Sequence, residues 1–424
     1  MIGFVGIGLL ALLAASVPVA VVLFLLAFGV DLFYSPFPLI RGLGQVVWSS
    51  SDSALLIAIP FFVLLGEVLV RSGIAERTYA ALDAWVAWAP GGLVHANIGT
   101  ATLFSATSGS SVATAATVAT VAMPQAERLG YDPRLFAGSI AAGGTLGIMI
   151  PPSINLIVYG FLTETSIPRL FLAGLLPGLL LALLFMLVTA ALCGWRPSLG
   201  GQRRVAPWSV RLRALLDLLP VLVLFGVVVG SIYAGLATPT EAAALGVAMA
   251  FAIAASRGAV DWPSTREALL GTVRVTAMIM FVILGAYVLN FALASAGLGQ
   301  ALRAFLDGLG LSPLATLLAI VGLYIVLGFF IETLSLMVAT IPIVVPIIAD
   351  LGYDKVWFGI LMILLVEMAL ITPPVGLNLY VVQGARRSGS LGEVMAGAVP
   401  YVLAMLAMAA LLIAFPALAL WLPG

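Results

Sequence analysis

Charge is scarce in this sequence. Its 424 residues hold 18 Lys+Arg and 18 Asp+Glu, 8% in all, where a soluble domain carries roughly 25%. With 63% of the residues hydrophobic, so few charges cannot cover a water-facing surface, and the chain reads as a polytopic membrane protein. The apolar residues come in long runs, not in the two-residue alternation of barrel strands, so the spans are helical. Histidine and cysteine are nearly absent too. His95 stands alone, which excludes a histidine-based triad and a histidine-rich zinc site; it reads as an interfacial residue. Cys193 stands alone at an apolar helix end and cannot form an internal disulfide. A net charge of zero, with a single basic cluster, argues against nucleic acid as a partner. There is no Walker-type phosphate loop to harness a nucleotide. Gly3, Gly6 and Gly8 copy part of a dinucleotide fingerprint but follow no strand, and Gly109-Ser110-Ser111 lacks the second glycine of a nucleophile elbow.

A membrane-crossing helix needs about 20 mostly apolar residues. Runs of that kind occupy 54–70, 135–159, 170–194, 215–236, 242–255, 277–294, 358–382 and 394–422. Residues 1–30 are apolar but divided by Pro18, giving one tilted pass or two short ones. They lack the basic segment of a cleaved signal peptide. Amphipathic stretches at 74–88 and 298–309 predict helices lying along the membrane surface.

The two halves repeat each other. Met123-Pro124, Leu129-Gly130-Tyr131-Asp132, Phe136 and Pro151-Pro152 recur as Val345-Pro346, Leu351-Gly352-Tyr353-Asp354, Phe358 and Pro373-Pro374, at a constant offset of 222. Downstream the offset is 223, pairing Asn155 with Asn378, Gly174 with Gly397 and Pro177 with Pro400. Upstream, Gly73 and Leu82-Asp83 match Gly297 and Leu306-Asp307 at 224, and Pro18 matches Pro239 at 221. A register held this far is an intramolecular duplication. Cytoplasmic loops are enriched in Lys and Arg, and the loop between the halves holds Arg196, Arg203, Arg204, Arg211 and Arg213 without an acid. Arg386-Arg387 mark a second such loop, whose first-half counterpart at 161–167 has Glu164 and no basic residue. Equivalent loops thus fall on opposite sides, which makes the repeat inverted, an architecture of secondary transporters. The expected fold is all-α, with a first repeat at 1–194, a basic cytoplasmic loop at 195–214 and a second repeat at 215–424. Reading 1–30 as two passes gives five crossings per half and places both ends outside.

Polar and small residues interrupt the first half at membrane depth: Ser105, Thr107, Ser108, Gly109, Ser110, Ser111 and Thr114. Small residues often serve only helix packing. The functional reading is a re-entrant hairpin at about residues 92–122, whose unwound tip must line a cavity or be buried in protein. Its hydroxyls and carbonyls are the oxygen ligands a hard cation prefers. The partner hairpin, at about residues 312–346, turns at Gly328-Phe329-Phe330-Ile331-Glu332-Thr333-Leu334-Ser335, 222 residues after 106–113. A charge such as Glu332 inside a membrane segment usually faces a cavity or a partner; its bland reading is an interfacial residue at a helix end. Glu67, Glu241 and Glu367 are further acids of this kind. Each half also carries a paired break: Gly143-Gly144-Thr145-Leu146-Gly147 leading to Pro151-Pro152-Ser153, and Thr372-Pro373-Pro374-Val375-Gly376-Leu377-Asn378. Proline removes a helix hydrogen bond and clashes with the turn before it, so helices at about 134–160 and 356–382 should each be discontinuous. Breaks at equivalent positions of two repeats point to a midplane binding site.

These motifs resemble the large membrane subunit of TRAP (tripartite ATP-independent periplasmic) transporters, within the ion transporter superfamily. The resemblance runs over nearly the whole chain. It is carried by Ser108-Gly109-Ser110, the 144–153 stretch, Leu172-Ala173-Gly174-Leu175-Leu176-Pro177-Gly178, Thr238-Pro239-Thr240-Glu241-Ala242-Ala243-Ala244, Pro342 with Pro346, Phe358-Gly359, and Thr372-Pro373-Pro374-Val375-Gly376. It implies an elevator-type, Na⁺-coupled importer of small organic acids in the inner membrane of a bacterium. The partners it implies are a periplasmic substrate-binding protein and a four-helix small membrane subunit, both separate polypeptides. The hairpins and broken helices would form the moving transport domain, with the amphipathic segments as arms. Sodium would bind at two pseudo-symmetric sites. The first would use Ser108, Gly109, Ser110 and Ser111 with Gly144, Thr145 and Ser153. The second would use Gly328, Glu332 and Thr333 with Thr372, Pro373, Val375 and Gly376. A carboxylate between the tips would meet Ser110, Asn155, Thr333 and Asn378. Two alternatives stand beside this: a stand-alone Na⁺/organic anion symporter of the same superfamily, and an intramembrane enzyme using Glu332 or Glu241 as acid/base.

Overall fold

In the computed structural model the described residues are 1–386 and 388–424, without the side chains of Ala106, Thr107, Glu127, Leu302, Arg303, Phe305, Leu306, Asp307 and Leu309. Arg387, half of the second basic signal, lies outside them. The described chain is helical, in order α1 (Ile2–Ala14), α2 (Val19–Tyr34), α3 (Leu39–Ser51), α4 (Ala58–Arg71), α5 (Ile74–Val86), α6 (Leu93–Ser108), α7 (Ser111–Leu129), α8 (Pro133–Met149), α9 (Ile154–Thr163) and α10 (Ile167–Trp195). The second half supplies α11 (Trp208–Tyr233), α12 (Pro239–Ser256), α13 (Trp262–Ser295), α14 (Leu298–Leu309), α15 (Pro313–Gly328), α16 (Thr333–Asp350), α17 (Lys355–Ala369), α18 (Leu377–Ala385), α19 (Leu391–Ala414) and the short α20 (Ala417–Leu420). Six helices (α10, α11, α12, α13, α16 and α19) are each long and apolar enough to cross a membrane. The pairs α4–α5 and α8–α9 pass the same test together but bend by 68° and 40°.

The repeat is visible element by element: α1 with α11, α2 with α12, α5 with α14, and onward to α10 with α19. The shared Leu-Gly-Tyr-Asp motif has a physical reason. Gly130 (φ 69°) and Gly352 (φ 81°) let the chain leave the second hairpin limb through a left-handed turn, a conformation that costs other residues steric strain. Two residues on, an aspartate caps the next helix. Asp132 Oδ1 accepts from the N–H groups of Arg134 (3.0 Å) and Leu135 (2.9 Å), and Asp354 Oδ1 from those of Val356 (2.7 Å) and Trp357 (3.0 Å).

The structure departs from the sequence reading in three places and, of the two readings of residues 1–30, takes the divided one. Residues 1–30 form two helices, divided where Ser16 takes φ 59° ahead of Pro18. An unanticipated amphipathic helix, α3, fills 39–51 with Leu39, Ile40, Leu43, Val46 and Val47 on one stripe, the spacing of a helix face. Its second-half counterpart is continuous with the span that follows, so α13 runs 34 residues, about 51 Å at 1.5 Å per residue. The linking loop is shorter than expected, because α11 begins at Trp208 and takes Arg211 and Arg213 into its first turns. The loop and the start of α11 are both fastened to α5: Arg204 grips both carboxylate oxygens of Asp83 at 3.1 Å, and Trp85 donates to the Arg211 carbonyl at 3.1 Å.

α8 and α17 lie at the centre, where nearly every residue of both is buried. Around them stand the hairpin α6–α7, the hairpin α15–α16 and the half-helices α9 and α18. These packings cross the repeats, α18 lying on α7 and α8, and α9 on α16. Outside them α2, α4, α11, α12 and α13 pack on one another.

Candidate functional site: the cavity between two hairpin tips

Both hairpins reverse at membrane-depth sequence. At the first tip α6 ends on Ser108, Gly109 turns left-handed (φ 59°), and Ser110 caps α7 by accepting from the Ala113 N–H at 3.4 Å. The Ser108 and Thr114 hydroxyls share a hydrogen bond of 2.7 Å. Two α8 glycines make room for this tip. A Cβ on Gly147 would stand 2.8 Å from the Ser110 carbonyl oxygen, and one on Gly144 would stand 3.0 Å from that of Ser111.

At the second tip Glu332 is the N-cap of α16. Its carboxylate accepts from the N–H groups of Leu334 (3.0 Å) and Ser335 (2.9 Å) and from the Thr333 hydroxyl (3.1 Å). A negative charge at a helix N-terminus is stabilised by the orphan N–H groups and the helix dipole.

The breaks behave as proline chemistry requires, though unequally. Pro151 and Pro152 offer no N–H, so the Gly147 and Ile148 carbonyls of α8 lose their usual helical donors. Ser153 restarts the chain by capping α9 through the Leu156 N–H (3.3 Å). In the second break the lost bonds are replaced: Asn378 N–H donates to Leu370 O (3.1 Å), Thr372 N–H to Ala369 O (3.3 Å), and Val375 N–H reaches the Phe329 carbonyl of the second tip (3.3 Å).

Both tips meet at one cavity of about 170 Å³. Ser108, Gly109, Ser110, Ser111, Asn155, Glu332 and Thr333 line it on one side; Val63, Gly66 and Glu67 of α4 with Val275, Met278 and Ile279 of α13 close the other. Ser110, Asn155 and Thr333 therefore come together as expected. Asn378 does not: it is buried one layer away, donating to the Ala141 carbonyl at 3.1 Å and touching Gly144. The remaining expected ligands support the tips from behind. Thr145 bonds to Ala142 O (2.7 Å), Thr372 bonds to Met368 O (2.7 Å), Gly328 packs on Ala369, and Pro373, Val375 and Gly376 form the turn into α18.

Among the four acids singled out, Glu241 closes a capping box with Thr238 at the exposed start of α12. Glu67 receives Arg71 on its own helix and packs on Gly271. Glu367 carries the larger surprise. It is 1% exposed in mid-α17 and accepts a hydrogen bond from the Ser111 hydroxyl of the first tip, while its other oxygen, Oε1, has no hydrogen-bond partner. The signal for it was present, a single acid in the apolar run six residues before Pro373, but only the fold places it against the tip.

A helical membrane protein whose repeated hairpins and broken helices converge on one cavity, with hydroxyls, an amide and carboxylates set in an apolar wall, is a transport protein. The comparisons narrow this: residues 7–418 match the family described as tripartite ATP-independent periplasmic transporter, DctM component, and the chain belongs to that family. It is 36% identical over 396 residues to the C4-dicarboxylate TRAP transporter large permease protein DctM of Pseudomonas aeruginosa, covering 93% of this chain and 91% of that one. It is 33% identical over 426 residues to the sialic acid TRAP transporter large permease protein SiaM of Vibrio cholerae, covering 98% and 97%. Its fold is like the YdaH transporter of Alcanivorax borkumensis, with a TM-score of 0.68 over 96% of this chain and 98% of that one, at 17% identity. These relatives are named as permeases and transporters, not enzymes.

Proposed function

We propose that this chain is the translocating subunit of a Na⁺-coupled importer of small organic acids in a bacterial inner membrane. In this reading a periplasmic binding protein delivers the substrate and a separate four-helix membrane subunit braces the scaffold. The observation that most supports it is the convergence of both hairpin tips with Asn155 on one cavity whose far wall belongs to α4 and α13. Relatives named for a C4-dicarboxylate and for sialic acid support an acid as cargo.

The donor set suits the coupling ion. Hydroxyls of Ser108, Ser111 and Thr114, main-chain carbonyls at the tip, and the open Glu367 oxygen are all oxygen ligands, as a hard cation prefers. Bound there, Na⁺ would supply the positive charge that lets a carboxylate enter a cavity already walled by Glu67 and Glu332. The chain's own residues do the rest. Ser110 and Thr333 orient the acid from opposite tips, Asn155 offers an amide, and Val63, Val275, Met278 and Ile279 make the rest of the facing wall apolar. Elevator movement is the transport step, with hairpins and broken helices shifting as a unit along the outer helices. At about 170 Å³ the cavity is smaller than the roughly 300 Å³ at which small-molecule pockets begin, so the tips must part from α4 and α13 to take a substrate.

Uptake into proteoliposomes holding this chain and its small partner, under an inward Na⁺ gradient, tests the reading. Uptake of the binding protein's acid is expected only when both Na⁺ and the binding protein are supplied. Uptake with Na⁺ alone makes the chain a stand-alone symporter, and uptake indifferent to Na⁺ defeats the coupling.

A further inference from the structure

Glu367 is the one acid at the site whose needs the protein leaves unmet. The Ser111 hydroxyl donates to one oxygen and nothing donates to the other, although the whole residue is buried. Among the described residues no arginine or lysine forms an ion pair with it, and the charge that acts on it is a second carboxylate, Glu332. An ionised carboxylate at membrane depth is strongly disfavoured without a positive charge beside it. No side chain supplies that charge, so Glu367 is held either as the neutral acid or as a carboxylate beside a bound cation.

Glu332 has no such need, since two N–H groups and a hydroxyl satisfy its oxygens. The repeat sharpens the contrast. The residue 222 positions before Glu367 is Thr145, which is neutral and bonds within its own helix. One half therefore places a charge where the other places a hydroxyl.

We propose that Glu367 supplies the fixed negative charge of a monovalent-cation site at the first tip, a site with no charged equivalent at Thr145. The proposal rests on the Na⁺-coupled reading and deepens it. The two pseudo-symmetric sites are unequal, the first holding its ion through a buried carboxylate and filling at the lower Na⁺ concentration. A cation there bridges Glu367 on α17 to the Ser111 end of α7, and so fastens the first tip to the central helix before substrate arrives.

Sodium binding to the purified full chain, titrated by calorimetry against choline chloride, is the direct test. Glu367→Gln keeps size and hydrogen bonding but loses the charge; it should bind Na⁺ roughly thirtyfold more weakly or worse, the lower end of what removing one member of a buried charge pair costs. Glu241→Gln, at the exposed start of α12, should bind as the unaltered chain does. Should Glu367→Gln fail to fold, Glu367→Asp carries the test with the charge kept and drawn back by one methylene, and weaker binding is again expected. Equal Na⁺ affinity in the unaltered chain and the Glu367 variants makes the acid a neutral structural group and overturns this inference alone. No Na⁺ binding by the unaltered chain overturns the coupled reading with it.

Discussion

Two hydrogens on α8 decide how close the first tip can come. A side chain at Gly144 would strike Ala115 and Asn378 as well as the Ser111 carbonyl, whereas at Gly147 every atom struck belongs to the Ser110–Ser111 backbone, which cannot rotate away. Gly147→Ala should therefore push the tip outward by a few tenths of an ångström. Small displacements of positioning groups can cost about 100-fold in rate; a loss of tenfold or more in Na⁺-driven uptake is expected, with folded protein still recovered. Gly230→Ala, on α11 with nothing within 4 Å of its Cβ, should transport normally. Ser110→Leu and Thr333→Leu place bulk inside the cavity itself and should each abolish Na⁺-dependent uptake; normal uptake in either would remove these residues from the site. The sequence made the hydroxyls and the proline pairs visible, because unusual residues at membrane depth announce themselves one at a time. It could not rank four acids. Glu241, Glu67, Glu332 and Glu367 look alike as charges in apolar sequence, and only their partners separate a cap, an ion pair and an unpaired carboxylate. Asn155 and Asn378 are likewise repeat mates, yet one lines the cavity and the other braces α8, since α9 and α18 pack against different neighbours.

At the scale of elements, the repeat was legible because it is written in caps and breakers. Glycine ends the hairpin limb, aspartate starts the central helix, and paired prolines interrupt it. These are local instructions and survive the divergence of everything around them. Asp132→Ala and Asp354→Ala should each cost about 1 kcal/mol, the usual value of a lost N-cap. The loss should appear as a lower melting temperature of the detergent-purified protein, with similar shifts for both variants. A shift from one and none from the other would mean the two central helices are held differently despite the shared motif. What escaped the sequence reading were elements without such punctuation. The α3 helix has its apolar stripe but no cap hydrogen bond from its Pro38 start, and the polar first turns of α13 hide a helix much longer than its apolar core. The contact of each half-helix with the hairpin of the other repeat is a long-range packing that no local pattern encodes.

At the scale of the whole molecule, the cavity wall is made by two groups of helices that pack mainly among themselves. The tips and Asn155 belong to the central group, while the opposing surfaces of α4 and α13 belong to the outer one. If substrate moves because the first group travels past the second, then joining the two across the cavity must stop transport without touching any ligand of the cargo. Val275 on α13 and Leu334 on α16 both line the cavity, one on each side, and neither carries a polar side chain that could hold ion or acid. With Cys193 replaced by Ser, cysteines at 275 and 334 bridged by a short, reducible bis-methanethiosulfonate linker should halt uptake, and reduction should restore it. Each single-cysteine variant, treated the same way, should retain most of its activity, because one attached linker fills space but fastens nothing. Na⁺ binding in the bridged protein should persist, since the residues proposed for both ion sites lie within the central group. Full uptake by the bridged protein would show that the two groups do not slide past one another, and would move the transport step to the tips alone.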